Sequence, residues 1–182
     1  MRRLLLALPF ALLPLAVAHA HDDHDHDHGT LGAHEHGVAK LNVVLDGTTL
    51  ELGLDSPAMN LVGFEHVAST DADKAKVAAA RQQLERPLKL FGLAQAAGCT
   101  EENQELESPL FEAADKQAQG HQHADIEAHY QLTCANPDKL TRIDLAPLFK
   151  TFPQTQKINV QLIGPNGQKG LEATPAKAVV VF

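Results

Sequence analysis

The segment GVAKLNVVLDGTTLELGLDSP, residues 37–57, constrains the fold of this 182-residue chain more than any other stretch. Ala39, Leu41, Val43 and Leu45 recur at period two, and Leu50, Leu52 and Leu54 do the same beyond Asp46-Gly47. Two such runs separated by an Asp-Gly pair predict an antiparallel hairpin closed by a two-residue type I′ turn. Pairing Leu45 with Thr48 sets Val43 opposite Leu50, Leu41 opposite Leu52 and Ala39 opposite Leu54. The apolar faces then match, as a half-buried hairpin requires. The opposite face carries His34, His36, Lys40 and Asn42.

A second strand is legible in HQHADIEAHYQLTC, residues 121–134. At period two, His121, His123, Asp125, Glu127 and His129 share one face, and Ala124, Ile126, Ala128, Tyr130, Leu132 and Cys134 share the other. A helix would scatter the same residues. STDADKAKVAAARQQLERP reads as a helix capped by Ser69, Thr70 or Asp71, with Pro87 near its end. Its apolar stripe is thin, which suits a helix lying on a sheet. Residues 94–120 are mixed and acidic and give no period, so Glu101, Glu102, Glu105 and Glu107 read as a solvated stretch. KINVQLIGPNGQKGLEATPAKAVVVF predicts two or three closing strands joined through the GPNG turn. The fold expected is α+β, mainly antiparallel sheet with one or two helices. A weak repeat relates His34-x-His36, a strand and Asp55-Ser56-Pro57 to His121-x-His123, a strand and Asp144-Leu145-Ala146-Pro147, suggesting halves at 34–115 and 116–182.

Residues 1–20 carry two arginines, a proline-broken apolar run and Ala18-His19-Ala20, the three-part layout of a secretory signal peptide cleaved after Ala20. No later window is apolar enough to span a bilayer, so no membrane insertion is expected. Cleavage takes Arg2 and Arg3 away and lowers the basic count from 15 to 13 against 23 acidic side chains. A surface this acidic repels nucleic acid and attracts cations. Residues 21–33 are polar, charged and glycine-containing, and read as a disordered leader. In an oxidising compartment the two cysteines, Cys99 and Cys134, favour a disulfide. Thiolate ligation of a metal is the alternative, although neither cysteine lies in a C-x-x-C pair.

Ten of the eleven histidines lie beyond residue 20, and nine of those ten fall in three clusters. These are His21, His24, His26 and His28 in the leader, His34 and His36 before the hairpin, and His121, His123 and His129. Imidazole and carboxylate are zinc donors, three or four converging on each ion. Donors on a flexible leader must be ordered on binding, which suits capture better than tight storage. On a strand, His121 and His123 stand roughly 7 Å apart on one face, so each contributes to a site that needs partners from elsewhere. His34, His36 and the Glu65-His66 pair are the candidates for that role. The metal set is therefore His34, His36, His66, His121, His123, Asp125, Glu127 and His129. Zn²⁺ fits these donors, and Cu²⁺ and Ni²⁺ accept the same ones. Thioether binding of Cu(I) has little support, since one of the two methionines lies in the signal segment.

The run GAHEHGVAKLNVVLDGTTLELGLDSPAMNLVGFEH, with HQHADIEAHYQLTC and the closing strands, resembles the ZrgA family of periplasmic zinc-binding proteins associated with bacterial zinc ABC-type uptake. The resemblance implies zinc binding in the periplasm in support of high-affinity import, without catalysis. It implies a zinc ABC-type transporter or its binding protein as partner. His34, His36, Glu65, His66, His121, His123 and His129 match positions of the family. Two other readings remain open. One is a periplasmic storage or detoxification protein. The other is a zinc hydrolase, kept alive by the His-x-His-x-Asp of HQHAD and weakened by the absence of H-E-x-x-H.

Overall fold

In a computed structural model of the chain, residues 35–112 and 124–182 are described. Strand β1 (Val38–Asp46) turns into β2 (Thr49–Pro57), which runs directly into the short helix α1 (Ala58–Val62). Helices α2 (Asp71–Leu84) and α3 (Pro87–Leu90) follow, then strands β3 (Cys99–Glu107) and β4 (Asp125–Cys134). The chain continues with β5 (Arg142–Asp144), helix α4 (Ala146–Thr151), β6 (Lys157–Gly164), β7 (Gly167–Ala173) and β8 (Val179–Val181). Six strands form one sheet in the order β3-β4-β2-β1-β6-β7, and β5 pairs with β8 apart from it. Every pairing is antiparallel except β1 with β6. The α+β expectation holds. The helices number four among the described residues; three have six residues or fewer and carry no stripe that periodicity detects. Residues 34–115 and 116–182 each give three strands to the one sheet, interleaved rather than stacked as separate halves.

The first hairpin forms with the expected faces but a shifted register. Leu45 pairs with Leu50, Val43 with Leu52 and Leu41 with Leu54, so the two-residue loop is Gly47-Thr48 rather than Asp46-Gly47. A type I′ loop at Asp46-Gly47 needs positive φ at both residues, and among the described residues only glycines adopt it. Gly47, at φ 56°, instead takes the first central position, where a type II′ loop places glycine. The slip moves each partner by two residues, an even number, so no side chain changes face.

One face of the sheet is buried. Leu41, Leu50, Leu52, Leu54, Ile126, Leu132 and Ile158 point inward and are covered by α2, α3, α4 and the β5–β8 pair. Helix α2 lays Val77, Ala80 and Leu84 against them. The Tyr130 hydroxyl donates to the Leu84 carbonyl at 2.8 Å, and its ring meets Phe91 edge-on. Thr70 caps α2 in a reciprocal box with Asp73, whose carboxyl is held below its ordinary value chiefly by the Thr70 hydroxyl. The other sheet face stays polar, with Glu51, Glu127, His129 and Gln131 exposed. The acidic stretch after Cys99 is the edge strand β3. It pairs on one side only and buries little, so its sequence shows no alternation, and its charges discourage further pairing.

Candidate metal centre

Strands β1 and β4 flank β2 and run antiparallel to it, so both begin where β2 ends. Asp125, the first residue of β4, stands opposite Pro57, the last of β2. The chain therefore enters β1 and β4 at the same end of the sheet, with β2 between them. Two interstrand spacings put those entrances about 9.5 Å from each other.

Helix α1 fastens both entrances. Asn60, fully buried, accepts from the Gly37 N–H at 2.6 Å through Oδ1, and its amide nitrogen donates to the Val38 carbonyl and the Ser56 hydroxyl. The Ala58 N–H donates to the carbonyl of Ala124, the residue that follows His123. Beyond α1 the chain reverses at Gly63 and returns Phe64, Glu65 and His66 towards the start of β1. There His36 Nε2 lies 3.1 Å from Glu65 Oε1. The imidazole is half exposed, at 51%, and the carboxylate behind it is buried, at 7%. His66 is exposed, stacks on Phe64 with centroids 4.6 Å apart, and turns Nδ1 to the Val67 carbonyl at 3.0 Å.

The structure thus brings His36 and Glu65 together and places His66 next in the chain. It does not bring His129 to them. His129 stands four residues into β4, about 13 Å along the strand from Asp125. Its Nε2 is 3.7 Å from Glu127 Oε2, and it borders a shallow depression of about 370 Å³ over Gly53. Glu127 is exposed beside it and Asp125 is half-buried, with the face alternation of β4 as expected. Cys99 and Cys134 form the expected disulfide, beside the hairpin turn at the opposite end of β4, so they take no part in the His36 end of the sheet. Among the described residues no group of three or more His, Cys, Asp or Glu side chains is placed to hold a metal ion. His34, His121 and His123 lie outside the described residues, as do the signal segment and His21, His24, His26 and His28.

A family model, that of the ZrgA family zinc uptake proteins, matches residues 33–182. The chain belongs to this family. No curated protein matches it. Membership in the ZrgA family assigns a role in zinc uptake, and the imidazole and carboxylate paired at His36 and Glu65 are among the donor types that zinc accepts. No helix among the described residues is long and apolar enough to cross a membrane. Two residues that organise this end of a ZrgA-family chain, Asn60 and Ser56, escape sequence reasoning. Both sit in SPAMN, where nothing but a polar residue amid small apolar ones marks a buried hydrogen-bonding role.

Proposed function

We propose that this ZrgA-family chain is exported to the periplasm, loses residues 1–20, captures or buffers Zn²⁺ for high-affinity import, and catalyses no reaction. The observation that carries the proposal is the double fastening by α1, which holds Gly37 and Ala124 within one strand of each other. His36 and His123 are covalent neighbours of those two residues. One peptide link spans about 3.8 Å, which supports the proposal that His36 and His123 share an ion; His34 and His121 each precede them by two residues. Zinc is proposed to bind there through imidazoles of His34, His36, His121 and His123, with His66 as a further donor. Asp125, Glu127 and His129 continue the donor row along β4 and form a weaker, more exposed set. The leader histidines are proposed to capture ions and pass them to the ordered site, and the zinc ABC-type transporter or its binding protein is the proposed recipient.

Calorimetric titration with Zn²⁺ on the chain starting at His21 and on one starting at Gly29 tests this reading. Tight binding retained by the shorter chain, and lost on His36→Ala, places the main site in the folded domain. Loss of all tight binding on removing residues 21–28 would assign it to the leader and overturn the proposal. Parallel titrations with Cu²⁺ and Ni²⁺ rank the metals.

A further inference from the structure

Glu65 is the only carboxylate among the described residues that is buried. Burying an ionised carboxylate is costly unless a partner compensates it. A partner is in place, because His36 Nε2 sits at hydrogen-bond distance, 3.1 Å, from Glu65 Oε1. An ionised carboxylate only accepts hydrogen bonds, so with Glu65 ionised Nε2 carries the proton. In a neutral imidazole the lone pair is then on Nδ1.

From the interior outward the order is carboxylate, imidazole, solvent, given by a side-chain exposure of 7% for Glu65 and 51% for His36. An ion arriving from solvent meets the imidazole first and finds the carboxylate behind it. Metal-bound histidines almost always donate their second ring N–H to a carboxylate or carbonyl, which fixes the tautomer and raises the basicity of the bound nitrogen. The contact spans 29 residues of sequence, so tertiary structure and not a local turn creates it. Buried Phe64 seats the segment that delivers Glu65. His66 is held differently, by the carbonyl of its own neighbour Val67, an arrangement that needs no fold.

We infer that Glu65 is a positioning residue: its buried carboxylate accepts from His36 Nε2 and commits this histidine to present Nδ1 to zinc. The inference rests on the zinc-binding reading above and adds the role of a carboxylate that touches the ligand rather than the ion.

The test compares the chain starting at His21 with its Glu65→Gln, Glu65→Ala and His36→Ala variants at pH 7.5. Zinc affinity is read by competition with a chromophoric chelator, coordination number by X-ray absorption, and the His36 tautomer of the metal-free protein by long-range ¹H–¹⁵N correlation. The unsubstituted protein should show His36 protonated at Nε2. Glu65→Ala should mix the tautomers and weaken zinc binding about 10- to 100-fold, with Glu65→Gln in between because its amide oxygen still accepts. Coordination number should stay unchanged in both. His36 protonated at Nδ1 in the unsubstituted protein, unchanged affinity in Glu65→Gln and Glu65→Ala, or one lost oxygen ligand in Glu65→Gln would each overturn the inference. Should Glu65→Ala fail to fold, the unsubstituted tautomer and Glu65→Gln still decide it. Unchanged zinc binding in His36→Ala instead removes the site reading itself.

Discussion

Replacing Asn60 by alanine cuts the fastening between α1 and the start of β1. Three hydrogen bonds disappear: Gly37 N–H to Oδ1 at 2.6 Å, Nδ2 to the Val38 carbonyl at 3.0 Å, and Nδ2 to the Ser56 hydroxyl at 3.1 Å. Gly37 is buried, so its N–H is left facing a cavity instead of water. Each lost bond costs about 1 kcal/mol net, and a stranded buried donor adds about 1–3 kcal/mol. The sum, about 4–6 kcal/mol, is a quarter or more of the stability of an ordinary domain. For a chain of this size each kcal/mol moves the melting temperature by about 2–4 °C, so a drop of about 8–24 °C is expected. Circular dichroism melts of the metal-free protein measure it. Ser56→Ala should cost about 1 kcal/mol, and the double variant less than the sum, because both changes remove the same contact. A melting temperature for Asn60→Ala within about 2 °C of the parent, well inside the shift worked above, would refute the reasoning. It would mean that the β1 start is held by the two bonds which the Gly37 carbonyl accepts from Gln156 and Lys157.

Tyr130→Phe should lose about 1–2 kcal/mol in chemical denaturation, since the Leu84 carbonyl at the end of α2 loses its donor. Burial pushes the Tyr130 phenol above its ordinary value, so the folded state favours the neutral form. That stabilisation is complete below pH 10 and falls as pH rises beyond it, which ultraviolet titration of the single tyrosine follows. Serine at both Cys99 and Cys134 should lower stability by roughly 3–4 kcal/mol, the chain-entropy value for a 35-residue separation, and reductant should reproduce the loss. Gly92→Ala places a Cβ 2.5 Å from the Asp144 carbonyl oxygen at φ 54°, and should cost well over about 2 kcal/mol. Gly47→Ala, at a similar φ with nothing within 4 Å, should cost about 1 kcal/mol, so equal losses would remove the clash as the cause. Zinc affinity should fall steeply from about pH 7.5 to 5.5, because imidazole binds metal only when neutral; a flat profile would rule out histidine ligands.

Elements that bury one face of a strand or cap a helix were legible in the sequence. The alternation in β1, β2 and β4 survives in the structure residue for residue, and Thr70 is the cap. Local chemistry dictates these features, so sequence carries them. Register needed the backbone as well, because the choice between Asp46-Gly47 and Gly47-Thr48 turns on which residue takes positive φ. β3 left no trace, since an edge strand answers to one neighbour and its exposed acids obey no period. At the candidate site His36, Glu65 and His66 were singled out from the sequence, but the contact between the first two was not. His36 and Glu65 are 29 residues apart, and only the reversal after α1 brings them together.

The geometry of a sheet is the reason for proposing the His36 end, and not the donor row of β4, as the place for zinc. Side chains at i and i+2 on one strand point the same way about 7 Å apart, whereas a tetrahedral site with bonds of about 2.0–2.1 Å needs its nitrogens about 3.3 Å from one another. Along β4, Glu127 and His129 start from the first spacing and bring Oε2 and Nε2 to 3.7 Å, but among the described residues no third donor completes a set with them, and across the strands His129 faces Gly53, which has no donor, and Glu105. A flat face thus offers donors in parallel. Where strands begin, the chain is free of the pleat and can turn its side chains inward on one ion. The sheet's contribution is then to fix the two starting points, through Asn60 at Gly37 and Ala58 at Ala124, and to bury Glu65 behind His36. On this view substitutions at Asn60 should weaken zinc binding along with stability, while His129→Ala should leave the tight site intact. Loss of the tight site in His129→Ala would shift the centre to the sheet face and undo the convergence argued from the strand starts.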